Sequence, residues 1–328
     1  MPYGIQLYIP FPSRVSPDLE RARSTHLAWP RSFGFLSDGT GAQRHQRANY
    51  AELAARFHPA AQGPDLDLGV DQMSWFFLFD DAFDTPLGED PHQTRHSVDA
   101  VAAALDSRPG PCAPPIVRAF RDLWERSREG MSTTWRSRAA DNWRCYLSGY
   151  LAEADYRCRN TFPTADEHLK LRRDTIGVQP TVDLAERIGH YEVPEPIFDS
   201  QHMRDMRAIA AEVDSIHNDI VSVEKEEAQG DIHNLVLILQ RDRSRSRHEA
   251  IEIMRQMIHE RIERFLALEA ELSKVSRDLR LSPRETETAI RYSTDALRTV
   301  MRGDYDWAEG SGRYGSPDGS VRTATAGT

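Results

Sequence analysis

Helical patterns interrupted only by proline and glycine are the strongest constraint on what this chain can fold into. Apolar residues recur every three to four positions, and the patterns end at breaks such as Gly63-Pro64, Pro163, Gly230 and Pro283. No segment alternates with the period of a strand, and no glycine-rich phosphate loop follows one. The sequence therefore predicts an all-α fold. The predicted helical stretches are roughly 16–33, 41–58, 65–85, 91–107, 114–130, 132–160, 165–190, 195–201, 203–229, 232–241, 245–277 and 281–302.

No linker divides the chain into two domains. Its 328 residues are enough for a deep core. The last residues, GSPDGSVRTATAGT, are small and polar, and such a composition buries too little apolar surface to fold. We expect one helical domain over 1–314 and a disordered tail over 315–328. Ser16, followed by Pro17, has the pattern of a residue that caps the first helix.

Composition excludes several classes of protein. The formal net charge is −10, which gives no electrostatic attraction for nucleic acid or an anionic membrane. The three cysteines have no Cys-x-x-Cys spacing, which argues against a disulfide framework and a thiolate zinc site. The N-terminus has no secretory signal pattern, and no apolar run approaches the roughly 20 residues that span a bilayer. We therefore expect a cytoplasmic protein that binds neither nucleic acid nor membrane.

The segment that carries most chemical information is WFFLFDDAFD, residues 75–84. On a helix, Asp80 and Asp84 lie one turn apart on one face, and Asp81 is about 100° round the axis. Like charges at this spacing repel, and carboxylates at the end of an aromatic helix need a partner. An acidic helix end in solvent is the plainer interpretation of any one aspartate. The three together indicate Mg²⁺, which prefers oxygen ligands.

A second stripe of oxygen donors lies on a later helix. Asn218, Ser222 and Glu226 follow one another at intervals of four residues, so they lie along one face of the helix. An amide, a hydroxyl and a carboxylate in a row suit a hard cation, although the surrounding glutamates also fit a solvated face. Lys225 beside them could meet an anion that the metal carries.

Two Mg²⁺ sites on two helices imply a ligand that both can hold, and a diphosphate fits. Basic donors are then expected, and two pairs are placed for this role: Arg172-Arg173, shortly before Gly177, and Arg313-Tyr314 near the C-terminus. Gly177 is able to break a helix and expose backbone groups. Each arginine alone is more often a surface residue in a chain this rich in arginine.

The aspartate motif, the Asn/Ser/Glu stripe, the upstream arginine and the late Arg-Tyr pair together resemble bacterial class I terpene synthases, and the resemblance covers nearly the whole chain. It implies a single-domain helical bundle around a deep apolar cavity, with both metal motifs at the mouth. It implies three Mg²⁺ ions with diphosphate bound, held by Asp80, Asp81, Asp84, Asn218, Ser222 and Glu226. Diphosphate would be bound by Arg172 as sensor (Arg173 is the alternative), Lys225, Arg313 and Tyr314, and the cavity would be lined by the aromatic side chains of Phe57, Phe76, Phe77 and Trp307.

The resemblance implies a cyclase that ionises farnesyl diphosphate, releases diphosphate and closes the carbon chain into a polycyclic sesquiterpene. Two alternatives remain: a different sesquiterpene, or a diterpene from geranylgeranyl diphosphate. The volume of the cavity determines which of them can form, and the sequence does not give that volume. A prenyl elongase would carry a second Asp-Asp-x-x-Asp motif, which is absent. A non-catalytic helical binding protein is the distant alternative. Members of this family lead us to expect a monomer or a weak homodimer.

Three positions depart from the family members that the chain most resembles. Those proteins have His after the tryptophan at 307, an apolar residue before the asparagine at 218 and Arg near 229, where this chain has Ala308, His217 and Gln229. We expect the first two to bear on the product and the third on diphosphate binding. For the final proton loss we expect bound diphosphate to act as base, because the sequence singles out no carboxylate or histidine in the cavity beyond the metal ligands. His217 is the alternative.

Overall fold

The computed structural model describes residues 6–83, 88 and 90–314. These residues form α-helices and one π-helical turn and contain no strand, so the all-α prediction is confirmed. The predictions for Asp84 and for the tail over 315–328 lie outside the described residues. The helices are α1 Leu19–Thr25, α2 Ala28–Ser32, α3 Gly39–Ala48, α4 Tyr50–Phe57, α5 Gly63–Phe83, α6 Pro91–Asp106, α7 Pro115–Ser127, α8 Thr133–Arg159, α9 Ala165–Thr175, α10 Val178–Ile188, α11 Glu195–Phe198, α12 Gln201–Gln229, α13 Leu235–Arg243, α14 Arg247–Asp278, α15 Pro283–Tyr292 and, after the π-helical turn Ser293–Leu297, α16 Arg298–Gly310.

Two of the predicted helical stretches are each divided by a residue with positive φ. Asn49, with φ 56°, separates α3 from α4, and Gly177, with φ 81°, separates α9 from α10. Asparagine and glycine are the residues that adopt this left-handed conformation most readily. The stretches 41–58 and 165–190 are therefore helical as predicted, but each bends at one residue.

The start of the first helix differs from the prediction. α1 begins at Leu19, and the residue before it makes no side-chain cap. The Ser16 hydroxyl instead donates to the Ala61 carbonyl across 2.6 Å and accepts from the Asp18 amide across 3.1 Å. Ser16 therefore joins the N-terminal segment to the α4–α5 connection.

The long helix α12 forms the centre of the bundle. It contacts α9, α10, α13, α14 and α16, and its middle turns are almost entirely buried. On the other side of the cavity, α5 packs against α4, α7 and α10. Trp75 of α5 is fully buried and stacks on Phe79 at 4.7 Å between ring centroids. This packing fixes the end of α5, which carries the aspartates, opposite the middle of α12.

Among the described residues, no helix is both long enough and apolar enough to cross a bilayer.

Candidate active site

A cavity of about 110 Å³ lies between α4, α5, α8, α9, α10, α12 and α16. Aromatic and aliphatic side chains make most of its wall, together with polar and charged side chains. Phe57, Phe76 and Phe77 lie on this wall, where the sequence predicts them. The lining residues are Leu53, Phe57, Met73, Phe76, Phe77, Asp80, Tyr146, Tyr150, Arg172, Thr175, Ile176, Gly177, Val178, Thr181, Asp214, Asn218, Asp304 and Tyr314.

The first acidic motif lies in the last turn of α5. Asp80 lines the cavity, and the Asp81 carboxylate accepts two hydrogen bonds from Arg313, at 2.7 and 3.2 Å. The Arg313 guanidinium also lies 3.6 Å from Asp80 and 4.8 Å from the centre of the Phe77 ring. Its side chain is only 8% exposed, so the C-terminal end of the described chain is tied to the aspartate motif.

The second motif lies in α12 and contacts the same C-terminal segment. Asn218 accepts from Arg172 Nη2 and donates to the Tyr314 hydroxyl, each at 2.9 Å. The Ser222 hydroxyl donates to the Asn218 carbonyl across 2.7 Å. Arg313 and Tyr314 therefore connect the two motifs, one residue to each.

Glu226, the last member of the stripe, accepts a 2.8 Å hydrogen bond from the Asn234 side chain. Burial of its carboxylate, and then the neighbouring charge of Asp219, raise the pKa of Glu226 to about 8. A nearby cation would lower that pKa again, because it favours the charged form. Lys225, the residue before it, is half-buried in the same turn.

The two adjacent arginines point in different directions. Arg172 lines the cavity, and its side chain is 14% exposed. Burial alone would lower its pKa, but the carboxylates of Asp219 and Glu153 outweigh burial and raise the pKa above the usual arginine value. Arg173 is exposed and donates from Nε to Glu212 across 2.5 Å. Of the pair, only Arg172 lies at the site.

The break between α9 and α10 borders the cavity. Gly177 adopts φ 81°, and a Cβ added there would lie 3.4 Å from Cζ of Phe76. The Thr181 hydroxyl donates to the Gly177 carbonyl across 2.8 Å. Gly177 is therefore required by the backbone conformation, and a methyl group there would be in van der Waals contact with the aromatic wall.

Trp307 lies behind the cavity wall, outside the lining set. It is 1% exposed, and its indole Nε1 donates to the Ala48 carbonyl across 2.8 Å. Its ring lies 5.8 Å from the rings of Phe77 and Tyr314. Trp307 therefore supports two site residues from behind.

Sequence reasoning missed a pair of tyrosines on α8. The hydroxyls of Tyr146 and Tyr150 lie 2.8 Å apart, and Tyr150 donates to Asp80 across 3.5 Å. Both side chains are buried and line the cavity. Their spacing of four residues was a usable signal, since such pairs share a helix face.

Sequence reasoning also missed two carboxyl groups of the cavity, Asp214 on α12 and Asp304 on α16. His217 Nδ1 is hydrogen-bonded to Asp304 Oδ2, and both side chains are buried. The expectation that the cavity holds no carboxylate beyond the metal ligands is therefore wrong. No local pattern could have revealed this, because the contact joins residues 87 positions apart.

The donors at the mouth suit a hard cation. Carboxylate, amide and hydroxyl oxygens are the ligands that Mg²⁺ prefers, and these are offered by Asp80, Asp81, Asn218, Ser222 and Glu226. Within 6–83, 88 and 90–314, no three His, Cys, Asp or Glu side chains are grouped closely enough to share one ion; the stripe on α12 uses an amide and a hydroxyl as well.

A helical bundle whose aromatic cavity is lined by Asp80 of an aspartate motif and by Asn218 of an Asn/Ser/Glu stripe has the features of a class I terpene synthase. The family model "Terpene synthase family 2, C-terminal metal binding" matches residues 71–264. The chain belongs to this terpene synthase family, whose members act on prenyl diphosphates and release diphosphate. Family membership supports a metal cofactor.

Individual relatives agree with this assignment. Pentalenene synthase of Streptomyces avermitilis is 53% identical over 96% of this chain and 94% of its own length. The (−)-β-caryophyllene synthase of Saccharothrix espanaensis is 38% identical over 97% and 90%. The crystal structure of linalool/nerolidol synthase from Streptomyces clavuligerus with 2-fluorogeranyl diphosphate superimposes with a TM-score of 0.83, at 36% identity, over 94% of this chain and all of that one.

The segments WFFLFDD (75–81) and TVMRGDYDWAEGSGRY (299–314) indicate a finer resemblance, to actinobacterial pentalenene synthases. The identity to the Streptomyces avermitilis enzyme confirms that resemblance.

Proposed function

We propose that this chain is a Mg²⁺-dependent sesquiterpene cyclase that converts farnesyl diphosphate into pentalenene and diphosphate. The observation that carries the proposal is 53% identity to a pentalenene synthase over nearly the full length of both chains. Relatives at 38% and 32% identity are named as enzymes that cyclise farnesyl diphosphate to other products. More of the relatives therefore support farnesyl diphosphate as the substrate than support pentalenene as the product.

In this proposal the two motifs hold three Mg²⁺ ions, through Asp80, Asp81 and Asp84 on one side and Asn218, Ser222 and Glu226 on the other. When bound, Mg²⁺ supplies Lewis-acid stabilisation of the negative charge on the leaving diphosphate. Arg172, Lys225, Arg313 and Tyr314 donate hydrogen bonds to the same group and stabilise charge that develops as the bond breaks.

In this proposal, the hydrogen bonds within the site couple the binding of diphosphate to the closure of the C-terminal segment over the cavity. Arg172 and Tyr314 bond Asn218, and Arg313 bonds Asp81. Diphosphate and metal would replace these contacts with contacts to themselves. The basic donors therefore need only short movements to change partners, and the C-terminal segment 311–314 stays over the cavity while they do so.

The apolar wall then handles the allylic cation. The faces of Phe57, Phe76 and Phe77 attract a cation, each by about 0.5–2 kcal/mol, and lack the nucleophilic atoms that would capture it. A cavity of about 110 Å³ is small beside the roughly 300–1,000 Å³ of pockets that take drug-sized ligands. The walls must therefore move apart to admit a prenyl chain.

The test is product analysis by gas chromatography and mass spectrometry. Purified protein is incubated with farnesyl or geranylgeranyl diphosphate, each with and without Mg²⁺. A single C15 hydrocarbon that matches pentalenene and needs Mg²⁺ supports the whole proposal. A C20 hydrocarbon would show that the substrate is geranylgeranyl diphosphate. Absence of product from folded protein with either substrate overturns the enzymatic proposal.

A different sesquiterpene is the second candidate, and one observation favours it. The cavity wall carries Asp304, hydrogen-bonded to His217, and His217 is one of the positions that depart from the pattern the chain otherwise resembles. A polar pair at the wall could direct the final loss of a proton to a different carbon and so give a different sesquiterpene. A Mg²⁺-dependent C15 product other than pentalenene would decide for this candidate.

A further inference from the structure

Two carboxyl side chains line the cavity without belonging to the metal motifs or the diphosphate donors. Asp214 lies on α12 and Asp304 on α16, and each is 7% exposed. Asp214 precedes Asn218 by one helical turn, on the side away from Ser222 and Glu226, so it is about 6 Å further along α12 from the metal stripe. Carboxyl groups in an apolar wall are costly unless they are paired or neutral. Both therefore call for a physical explanation.

The two groups differ in their partners. Asp304 Oδ2 is hydrogen-bonded to Nδ1 of His217, which is 1% exposed. Asp214 has an oxygen, Oδ1, that is buried and makes no hydrogen bond. Burial, and then the charge of Asp304, raise the pKa of Asp214 well above the ordinary aspartate value. Asp304 thus has a histidine that holds one of its oxygens in place, whereas Oδ1 of Asp214 has no partner.

Asp304 also lies against the aromatic wall. The residue before it, Gly303, packs so closely on Phe57 that an added Cβ would lie 2.9 Å from the ring. This close approach sets α16 beside Phe57 and places the Asp304 side chain among the groups that would surround a carbocation. The diphosphate donors, by contrast, are grouped around Asn218 and Asp81.

We propose that Asp304 is the catalytic residue that accepts the proton in the last step of cyclisation. This rests on the proposed function, because it requires a cationic polycyclic intermediate in the cavity. The electron pair of a C–H bond next to the cationic carbon becomes the π bond of the hydrocarbon, and the proton moves to the Asp304 carboxylate. Charge and atoms balance, and the proton leaves to solvent after the product does. His217 is the positioning residue, holding Oδ2 and leaving the other oxygen for the substrate.

The test separates ionisation from proton loss in the variant Asp304→Asn. Asparagine keeps the shape and can still accept from His217, but it is a far weaker base. Diphosphate release and hydrocarbon composition are measured in a single turnover with farnesyl diphosphate and Mg²⁺. We expect diphosphate release within about threefold of wild type, because the ionisation groups are intact. The fraction of the wild-type hydrocarbon should fall at least ~10-fold, since general-base groups contribute 10²–10⁴, and alkene isomers or alcohols should replace it.

Two further variants make the result specific. Asp306→Asn is the matched control: it lies on the same helix, pairs with Arg56 and Arg302 and is outside the cavity lining, so it should keep the wild-type product. Asp214→Asn tests the other carboxyl group. If Asp214→Asn changes the hydrocarbon and Asp304→Asn does not, the proposal is overturned in favour of Asp214.

If Asp304→Asn and Asp214→Asn both release diphosphate and make the wild-type hydrocarbon at the wild-type fraction, neither carboxyl group is the base and the proposal fails. Should that variant not fold, Asp304→Glu and Asp304→Gln replace it. The proposal then requires the wild-type hydrocarbon from the glutamate and not from the glutamine, and it is wrong if both variants make it. A wild-type chain that forms no terpene at all would instead refute the proposed function, so the two failures are distinguishable.

Discussion

Arg172 donates from Nη2 to Oδ1 of Asn218 across 2.9 Å, although the two residues are 46 positions apart. Arg172 lies in the last turn of α9, and Asn218 lies in the middle of α12. The group expected to sense diphosphate is therefore in direct contact with the first member of the second metal motif. In the proposed mechanism this hydrogen bond would link diphosphate recognition to metal binding, and it would have to break when diphosphate enters.

The neighbouring arginines offer a matched pair of variants. Arg172→Ala removes the guanidinium at the cavity, and we expect diphosphate release (kcat/KM with farnesyl diphosphate) to fall by about 10²–10³, the usual loss for one donor to developing charge. Arg173→Ala removes a half-exposed ion pair with Glu212, which Arg261 also holds, so kcat/KM should stay within about threefold of wild type. Equal losses in both variants would contradict the assignment of Arg172.

This pair also shows where sequence reasoning stops. Periodicity predicted the helices, and spacing of four residues predicted that Asn218, Ser222 and Glu226 share a face, because both are properties of one helix. The choice between Arg172 and Arg173 depends on which side of α9 packs on α12. One residue turns the side chain by about 100°, and only tertiary packing decides which of the two faces the cavity.

The same argument explains the features that were missed. His217 and Asp304 lie on different helices, 87 positions apart, and neither belongs to a local pattern. Asn49 divides a continuous helical pattern because α4 must turn to pack on α5 and α16. Trp307 was expected on the wall but hydrogen-bonds the Ala48 carbonyl behind it, since a buried indole N–H needs an acceptor.

Asn234 is expected to orient the Glu226 carboxylate for the metal. Its side-chain nitrogen donates to Glu226 Oε2, and its oxygen caps α13 by accepting from the Val236 amide at 2.9 Å. Asn234→Ser keeps a capping oxygen but loses the nitrogen that donates to Glu226 and to the Asp219 carbonyl. The Mg²⁺ concentration for half-maximal activity should rise about 10-fold, at the low end of the 10–100-fold that such supporting contacts contribute.

A readout without turnover checks the same prediction. Thermal unfolding is followed with inorganic diphosphate while Mg²⁺ is titrated, because a ligand that binds only the folded chain raises Tm with concentration. Asn234→Ser should need more Mg²⁺ for the same rise. An unshifted Mg²⁺ titration, with α13 intact by circular dichroism, would show that the hydrogen bond from Asn234 to Glu226 does not contribute to metal binding.

Gly177→Ala should affect stability and catalysis together. An alanine at φ 81° costs about 1–2 kcal/mol, and its methyl would lie 3.4 Å from the Phe76 ring. We expect a lower Tm, slower diphosphate release and a changed hydrocarbon composition.

Gly130 is the control, since it has φ 75° in the α7–α8 connection with nothing within 4 Å of an added Cβ. Gly130→Ala should lose comparable stability and keep the wild-type product; a product change there, or none in Gly177→Ala, would contradict the role of the α9–α10 break.

His58 should make the folded state sensitive to acid. Its ring is 4% exposed, Nε2 has no hydrogen-bond partner, and an added Cβ at Gly69 would lie 2.8 Å from its Cδ2. Burial lowers the pKa of His58 from 6.5 to about 4.

The unfolded chain then binds a proton that the folded chain does not, so this contribution to stability is fully present above pH 6.5 and is lost as the pH falls toward 4. The full difference, reached below pH 4, corresponds to about 3 kcal/mol, of which about 2 kcal/mol is already lost at pH 5. Urea unfolding of wild type and His58→Phe, each at pH 7.5 and 5, measures it: the wild-type free energy of unfolding should fall more steeply with acid than that of the variant. Parallel losses in the two proteins would assign the acid sensitivity to other buried groups.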